Sequence, residues 1–137
     1  MNKLFFTGRV AAAPLLANHG DSKVTKFTLI SNEYAGRDEG SGEAKERQVR
    51  IQFTAFGSRG EAIARNVLKG DQLIVEAKLA NNDFTDGEGV ERYGYNFTVE
   101  SFDFGAPGEL KRAQLARQQE SSMSAPVRAG AVDQYRR

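Results

Sequence analysis

One stretch of the chain carries side chains that could bind a flat, negatively charged ligand. The sequence RQVRIQFTAFG at positions 47–57 has a guanidinium, an amide, a hydroxyl and an aromatic ring at Arg50, Gln52, Thr54 and Phe56. Alternate residues of a strand share one face, and the residues between these four are apolar. A strand here would bury one face and expose a polar face that ends in a ring. Planar groups and phosphates are the chemistry that such a face suits.

Periodicity predicts the elements that position this face. We expect strands at Lys3–Val10, Lys23–Asn32, 47–57, Asp71–Ala80 and Glu91–Phe104, and one helix at Gly57–Gly70. Ser58 and Glu61 have the spacing of a capping box at the start of that helix. Residues 11–22 contain Pro14 and Gly20 and are expected to be mostly loop. Tyr34 continues the outward parity of the second strand, so it would add a second ring to the polar face.

The order of three strands, one helix and two strands predicts an all-β fold, a five-stranded Greek-key barrel of the OB type. The short helix between strands three and four would close one end of the barrel. A β-sandwich is the competing all-β fold, but it would require about seven strands. In an OB barrel the ligand lies across strands two and three, where the polar face falls.

Length and composition predict one domain and a tail. The chain has 137 residues and a net charge of +1, and it lacks cysteine, which excludes disulfides and thiolate metal sites. We expect residues 1–104 to form the barrel and residues 105–137 to be a disordered, basic tail. That tail carries six basic residues against three acidic ones, and the basic ones are Lys111, Arg112, Arg117, Arg128, Arg136 and Arg137.

Little in the sequence favours an enzyme. There is no phosphate-binding GxxxxGK[ST] motif, no HExxH motif and no nucleophile beside a base. The one histidine, His19, has no metal-binding partner at a typical spacing, so we expect a solvated side chain and no metal or cofactor. The short apolar run before Gly8 is not a signal peptide, and no apolar stretch is long enough to cross a bilayer, which favours a soluble, cytoplasmic protein without membrane contact.

An ordered set of short segments resembles the bacterial single-stranded DNA-binding protein family. They are NKLFFTG at 2–8, FTLISNEY at 27–34, GEAKE at 42–46, FG at 56–57, LKG at 68–70, VE at 75–76, FTD at 84–86 and RY at 92–93. The resemblance covers about residues 2–103. It implies sequence-nonspecific binding of single-stranded DNA during replication, recombination or repair, by a homotetramer associated with the nucleoid.

Carried over by position, the resemblance implies three rings that stack on bases, Tyr34, Phe56 and Phe84. The family has a tryptophan where this chain has Arg50, and a guanidinium plane can replace a ring in part while adding charge. The predicted phosphate and polar contacts are Lys3, Arg9, Lys26, Gln52, Thr54, Lys78 and Arg92. Each cation could equally be an ordinary solvated side chain, and Phe56 or Phe84 could instead be a subunit contact.

Two features depart from the family's pattern. The segment before Phe84 is ANND at 80–83, where the family usually has basic residues. The family's tail ends in an acidic, aromatic tip that recruits replication and repair enzymes, but this sequence ends in QYRR, so we expect no such recruitment. The second departure favours a plasmid, phage or integrated-element protein. They also leave open a dimeric accessory of replication restart, resembling the primosomal relative with the same fold.

Overall fold

The computed structural model describes residues 1–124. Its elements in chain order are β1 (Leu4–Val10), β2 (Leu15–His19), β3 (Ser22–Arg37), β4 (Ala44–Phe56), α1 (Gly57–Asn66), β5 (Gln72–Asn81), β6 (Phe84–Thr85), β7 (Glu91–Arg92), β8 (Tyr95–Phe104) and α2 (Glu109–Ser124). No helix in this part of the chain is long and apolar enough to span a membrane.

The five long strands form a closed barrel. The sheet order is β1-β5-β8-β4-β3-β2, and β1 pairs again with β3 at Val10 and Leu29, which closes the ring. Strands β4 and β8 pair in parallel at Phe53 and Phe97, while the other pairs are antiparallel. The predicted all-β barrel with a helix between its third and fourth long strands is therefore confirmed. Strand β2 lies outside the ring, on the edge of β3.

Inward-pointing residues of every long strand meet around one phenylalanine. Phe53 is completely buried, and its ring centroid lies 5.6 Å from that of Phe27 and 6.0 Å from those of Phe6 and Phe97. Helix α1 covers one end of this core with the buried side chain of Ile63. The alternation that buries Phe53 leaves Arg50, Gln52 and Phe56 exposed on the outside of β4.

Helix α1 begins differently from the sequence prediction. No side chain caps its first turn, so the predicted capping box is wrong, and the Glu61 carboxylate instead lies 2.5 Å from the Lys23 ammonium. The chain enters the helix through Gly57, whose φ of 63° favours glycine. One turn later, Gly60 packs so closely that an added Cβ would lie 2.5 Å from the Ala55 carbonyl oxygen. The helix therefore depends on close packing rather than on a cap.

Three further regions of the structure differ from the sequence prediction. Leu15–His19, expected to be loop, forms β2 because its backbone pairs with Ser22–Lys26 in a tight hairpin. The last predicted strand is interrupted, and Glu91–Arg92 pairs instead with Phe84–Thr85 in a separate small sheet.

The region after the barrel is the third difference, since 109–124 is helical where a disordered tail was predicted. Polar contacts hold the start of α2 to the barrel: Asp71 Oδ1 accepts from the Gly108 N–H at 2.8 Å, and the Lys111 ammonium donates to the Asn66 carbonyl. These contacts join distant parts of the chain, and sequence periodicity does not detect them. The tail residues Arg128, Arg136 and Arg137 lie outside the described residues.

Candidate nucleic-acid interface

A groove of about 590 Å³ runs across the outer face of β3 and β4. Its floor includes Lys26, Thr28 and Ile30 from β3 and Arg50 and Gln52 from β4. One wall comes from residues 11–13 and from alternate residues of β2. Arg50 and Gln52, two of the four residues of the face predicted from the 47–57 pattern, therefore form part of the floor of an open groove.

Strand register fixes which side chains are neighbours in this groove. In the antiparallel β3–β4 pair, Arg50 lies opposite Ile30, Gln52 opposite Thr28, and Thr54 opposite Lys26. Directly opposite residues of such a pair project from the same face, with Cβ atoms about 5 Å apart. The predicted contacts Lys26, Arg50, Gln52 and Thr54 are thus brought together on one surface.

Phe56 ends the same face. It lies opposite Val24 at the last position of β4, and its side chain is 52% exposed. It lines a second depression, of about 630 Å³, between the β2–β3 turn and the first turn of α1. Arg50 and Phe56 are six residues apart on one strand, so they bracket about 20 Å of surface.

None of the three predicted stacking rings lines the groove itself: Phe56 lines the second depression beyond its end, and Tyr34 and Phe84 lie farther away. Tyr34 is exposed in the β3–β4 hairpin, opposite Glu46, on the parity of the groove face but two pleats beyond Arg50. Phe84 is 53% exposed on the separate β6–β7 hairpin, where it lies opposite Arg92. Neither residue lines the groove, so their stacking roles stay predictions.

The cations of the groove are not neutralised by carboxylates. The Arg50 guanidinium makes one hydrogen bond, from Nη2 to the amide oxygen Oε1 of Gln48 at 3.1 Å. Within residues 1–124 neither Arg50 nor Lys26 forms an ion pair with an acidic side chain. Two exposed positive charges on a face with polar and apolar neighbours give the groove the character of an anion-binding surface.

Four other predicted phosphate contacts lie elsewhere. Lys3 is 2.9 Å from Glu76 and 3.0 Å from Glu100, and bonds to these carboxylates raise the pKa of its ammonium. Arg9 donates to the carbonyl oxygens of Gly70 and Ala106, which ties β1 to the segment before α2.

The remaining two belong to β5 and to the β6–β7 hairpin. Lys78 is exposed on β5, opposite Thr98, while Arg92 donates from Nε to Asp86 Oδ2 at 2.9 Å. The Val90 N–H and then Arg92 hold the pKa of Asp86 below its usual value, as these bonds favour the charged carboxylate. None of Lys3, Arg9, Lys78 and Arg92 lines the groove, and their contact with phosphate stays a prediction.

Sequence reasoning missed the β2 wall of the groove. Leu15, Ala17 and His19 line it, although the segment was expected to be loop and His19 an isolated solvated residue. Leu15, Ala17 and His19 occupy every second position, the spacing of one face of a strand, and this was the available signal. Pro14 and Gly20 on either side instead favour a loop. No group of three or more His, Cys, Asp or Glu side chains that could hold a metal ion occurs in residues 1–124.

Comparison with known proteins assigns the chain to a family. The model of the single-strand binding protein family matches residues 1–105. A single-stranded DNA-binding protein of Clostridium perfringens (strain 13 / Type A) is 35% identical over 106 residues, which are 76% of this chain and 65% of that protein. Single-stranded DNA-binding protein 1 of Xylella fastidiosa (strain 9a5c) is 30% identical over 95 residues, 68% of each chain.

A solved structure shares the fold. The Plasmodium falciparum SSB in complex with ssDNA superposes with a TM-score of 0.64 at 22% identity, and the match covers 77% of this chain and 95% of that one. The likeness at this identity concerns the barrel architecture. The family match over residues 1–105 and the 30–35% identical relatives show that the chain belongs to the single-strand binding protein family.

Proposed function

We propose that this protein binds single-stranded DNA without sequence specificity, along the groove on the outer face of β3 and β4. The observation that carries the proposal is the joint exposure, on one face, of the ring of Phe56 and of two cations, Lys26 and Arg50, that form no ion pair within residues 1–124. Bases offer flat apolar faces and the backbone offers phosphates, so one strand can satisfy both kinds of side chain.

Stacking supplies the part of the affinity that does not depend on sequence. In proteins of this kind, loss of one stacking ring costs about 1–3 kcal/mol by alanine substitution, and every base has a face that can stack. Phe56 stacks at one end of the groove, and the Arg50 guanidinium stacks on a base while its charge neutralises a phosphate. Gln52 and Thr54 between them supply hydrogen bonds to the strand.

The rings outside the groove extend the path of the strand. Tyr34 continues the β3–β4 face beyond Arg50, and Phe84 lies opposite Arg92 at the base of the β6–β7 hairpin. Both side chains are exposed, as a ring that stacks on DNA must be. Bases that leave the groove stack on these two rings, and Lys3, Arg9, Lys78 and Arg92 provide weaker phosphate contacts along the barrel.

The protein acts as a homo-oligomer, with a tetramer the expected state and a dimer the alternative. Support comes from Phe5 and Ile74, large apolar side chains that are exposed on β1 and β5 and do not line the groove. Light scattering coupled to gel filtration separates the two states. The protein acts in the cytoplasm on single-stranded DNA, as a binding protein without a catalytic step.

A titration of fluorescent oligo-dT against a duplex of equal length, at two salt concentrations, tests the function. We expect strong preference for the single strand at both concentrations, and an affinity that falls with salt because bound cations release counterions. Equal affinity for the two DNAs would overturn the proposal.

A further inference from the structure

We propose that Leu15 is a further DNA-contacting residue, whose side chain packs against a nucleobase at the β2 wall of the groove. This inference rests on the proposed binding of single-stranded DNA. It gives β2 a role as the apolar side of the site, opposite the cations of β3 and β4.

The register of β2 directs Leu15 into the groove. Strand β2 pairs with β3 from Leu15 opposite Lys26 to His19 opposite Ser22. Alternate residues point to opposite faces, so Leu15 and Ala17 line the groove, whereas Leu16 does not. The pairing also places the Leu15 and Lys26 side chains on the same face, with Cβ atoms about 5 Å apart.

The wall formed by β2 has an apolar character that a phosphate would not use. Leu15 is 73% exposed, and the wall continues through Ala17 and the three alanines at 11–13. Single exposed apolar residues are common, but a largely apolar wall that ends at His19, beside cations that form no ion pair within residues 1–124, indicates a ligand with both apolar and anionic parts. A nucleotide is such a ligand: its base packs on Leu15 while its phosphate reaches Lys26 or Arg50.

Affinity and its salt dependence distinguish a base contact from a phosphate contact. We expect Leu15→Ala to weaken binding to oligo-dT about three- to tenfold, because apolar contact area is lost. The slope of log affinity against log salt concentration, called the salt slope below, should equal that of the wild type, since Leu15→Ala removes no phosphate contact. Lys26→Ala should instead reduce the magnitude of this negative slope by about 0.7, the value for one phosphate contact on a single strand.

Leu16 is a matched control. It is the adjacent leucine, 47% exposed, and it does not line the groove. Leu16→Ala should therefore leave both affinity and salt slope unchanged. Equal losses in the Leu15→Ala and Leu16→Ala proteins, or no loss in either, would overturn the inference.

A second readout locates the contact directly. The chain has no cysteine, so Leu15→Cys and Leu16→Cys each introduce a single thiol for labelling. Saturating oligo-dT should slow the labelling of the Leu15→Cys thiol and not that of the Leu16→Cys thiol. An abasic strand of equal length, which keeps the phosphates, should protect the Leu15→Cys thiol less than oligo-dT does.

The two proposals fail in different ways. If the wild type binds oligo-dT but the Leu15→Cys thiol is labelled at the same rate with and without it, the inference is wrong and the proposed function stands. If the abasic strand protects that thiol as well as oligo-dT, the contact is not with a base and the inference is again wrong. If the wild type does not bind oligo-dT, both proposals are wrong.

Discussion

Replacement of Arg50 separates the stacking and charge contributions of the groove. Its guanidinium lies on the floor, opposite Ile30, and within residues 1–124 its hydrogen-bond partner is the Gln48 amide oxygen. No carboxylate within the described residues 1–124 forms an ion pair with it, so its charge is available to a phosphate. Arg50→Ala removes both the charge and the plane on which a base would stack.

The size of the effect follows from these two roles. The slope of log affinity against log salt concentration is negative, and loss of one phosphate contact on a single strand reduces its magnitude by about 0.7. Loss of one stacked base costs about 1–3 kcal/mol. We therefore expect Arg50→Ala to weaken binding by about tenfold or more at low salt, because both contributions are lost.

Two further variants restore one contribution each. Arg50→Trp supplies a ring without charge. Its salt slope should therefore stay as small as that of Arg50→Ala, while its affinity at high salt approaches or exceeds that of the wild type. Arg50→Lys keeps the charge but not the plane, so it should keep the wild-type slope with weaker binding. The opposite behaviour of the two variants is what the dual role predicts.

The assay is fluorescence anisotropy of labelled oligo-dT, measured between about 50 and 200 mM salt. Arg65→Ala is the control, because Arg65 is an exposed arginine in the last turn of α1 and does not line the groove. A salt slope in Arg50→Ala equal to that of the wild type would refute the assigned role of Arg50 in phosphate binding.

Three other changes test the remaining parts of the account. Phe56→Ala combined with Phe84→Ala should weaken binding to poly-dT by about 2 kcal/mol or more, and unchanged affinity would remove both rings from the stacking surface. Gly60→Ala should lower the free energy of urea unfolding by about 1–3 kcal/mol, because the added Cβ meets a backbone carbonyl oxygen; wild-type stability would contradict that packing. The pKa of the Glu76 carboxyl is held below the usual 4.5 by a hydrogen bond from Lys3 and, next in size, one from Ser101. The charged Glu76 therefore stabilises the fold above pH 4.5, and this stabilisation is lost as the pH falls through the lowered pKa. Glu76→Gln should therefore show a smaller loss of unfolding free energy on acidification than the wild type, and an equal loss would show that the ion pair does not contribute.

The outward face of β4 was predictable because it depends on local alternation. A strand whose alternate residues are apolar buries them, and the residues between them must then face outward. The order of strands and helix likewise follows from periodicity, and it leads to the barrel. These local patterns located Arg50, Gln52, Thr54 and Phe56 on one surface.

The positions of the other cations depend on contacts between distant parts of the chain. Lys3 is exposed, but the alternation of β1 does not show that Glu100, 97 residues away, approaches its ammonium. The β2 wall was missed because tight pairing with β3 overrides the loop signals of Pro14 and Gly20. The contact that holds the start of α2 also joins distant residues, since Asp71 lies 37 residues before Gly108.

The central claim is that single-stranded DNA lies across the outer face of β3 and β4. Backbone amide chemical-shift mapping with oligo-dT tests it most directly, because every described strand reports at once. We expect the largest shifts at residues 50–56, in the facing part of β3 and in β2, with small shifts on β1 and β5. Shifts concentrated on β1 and β5, with none at residues 50–56, would contradict the claim.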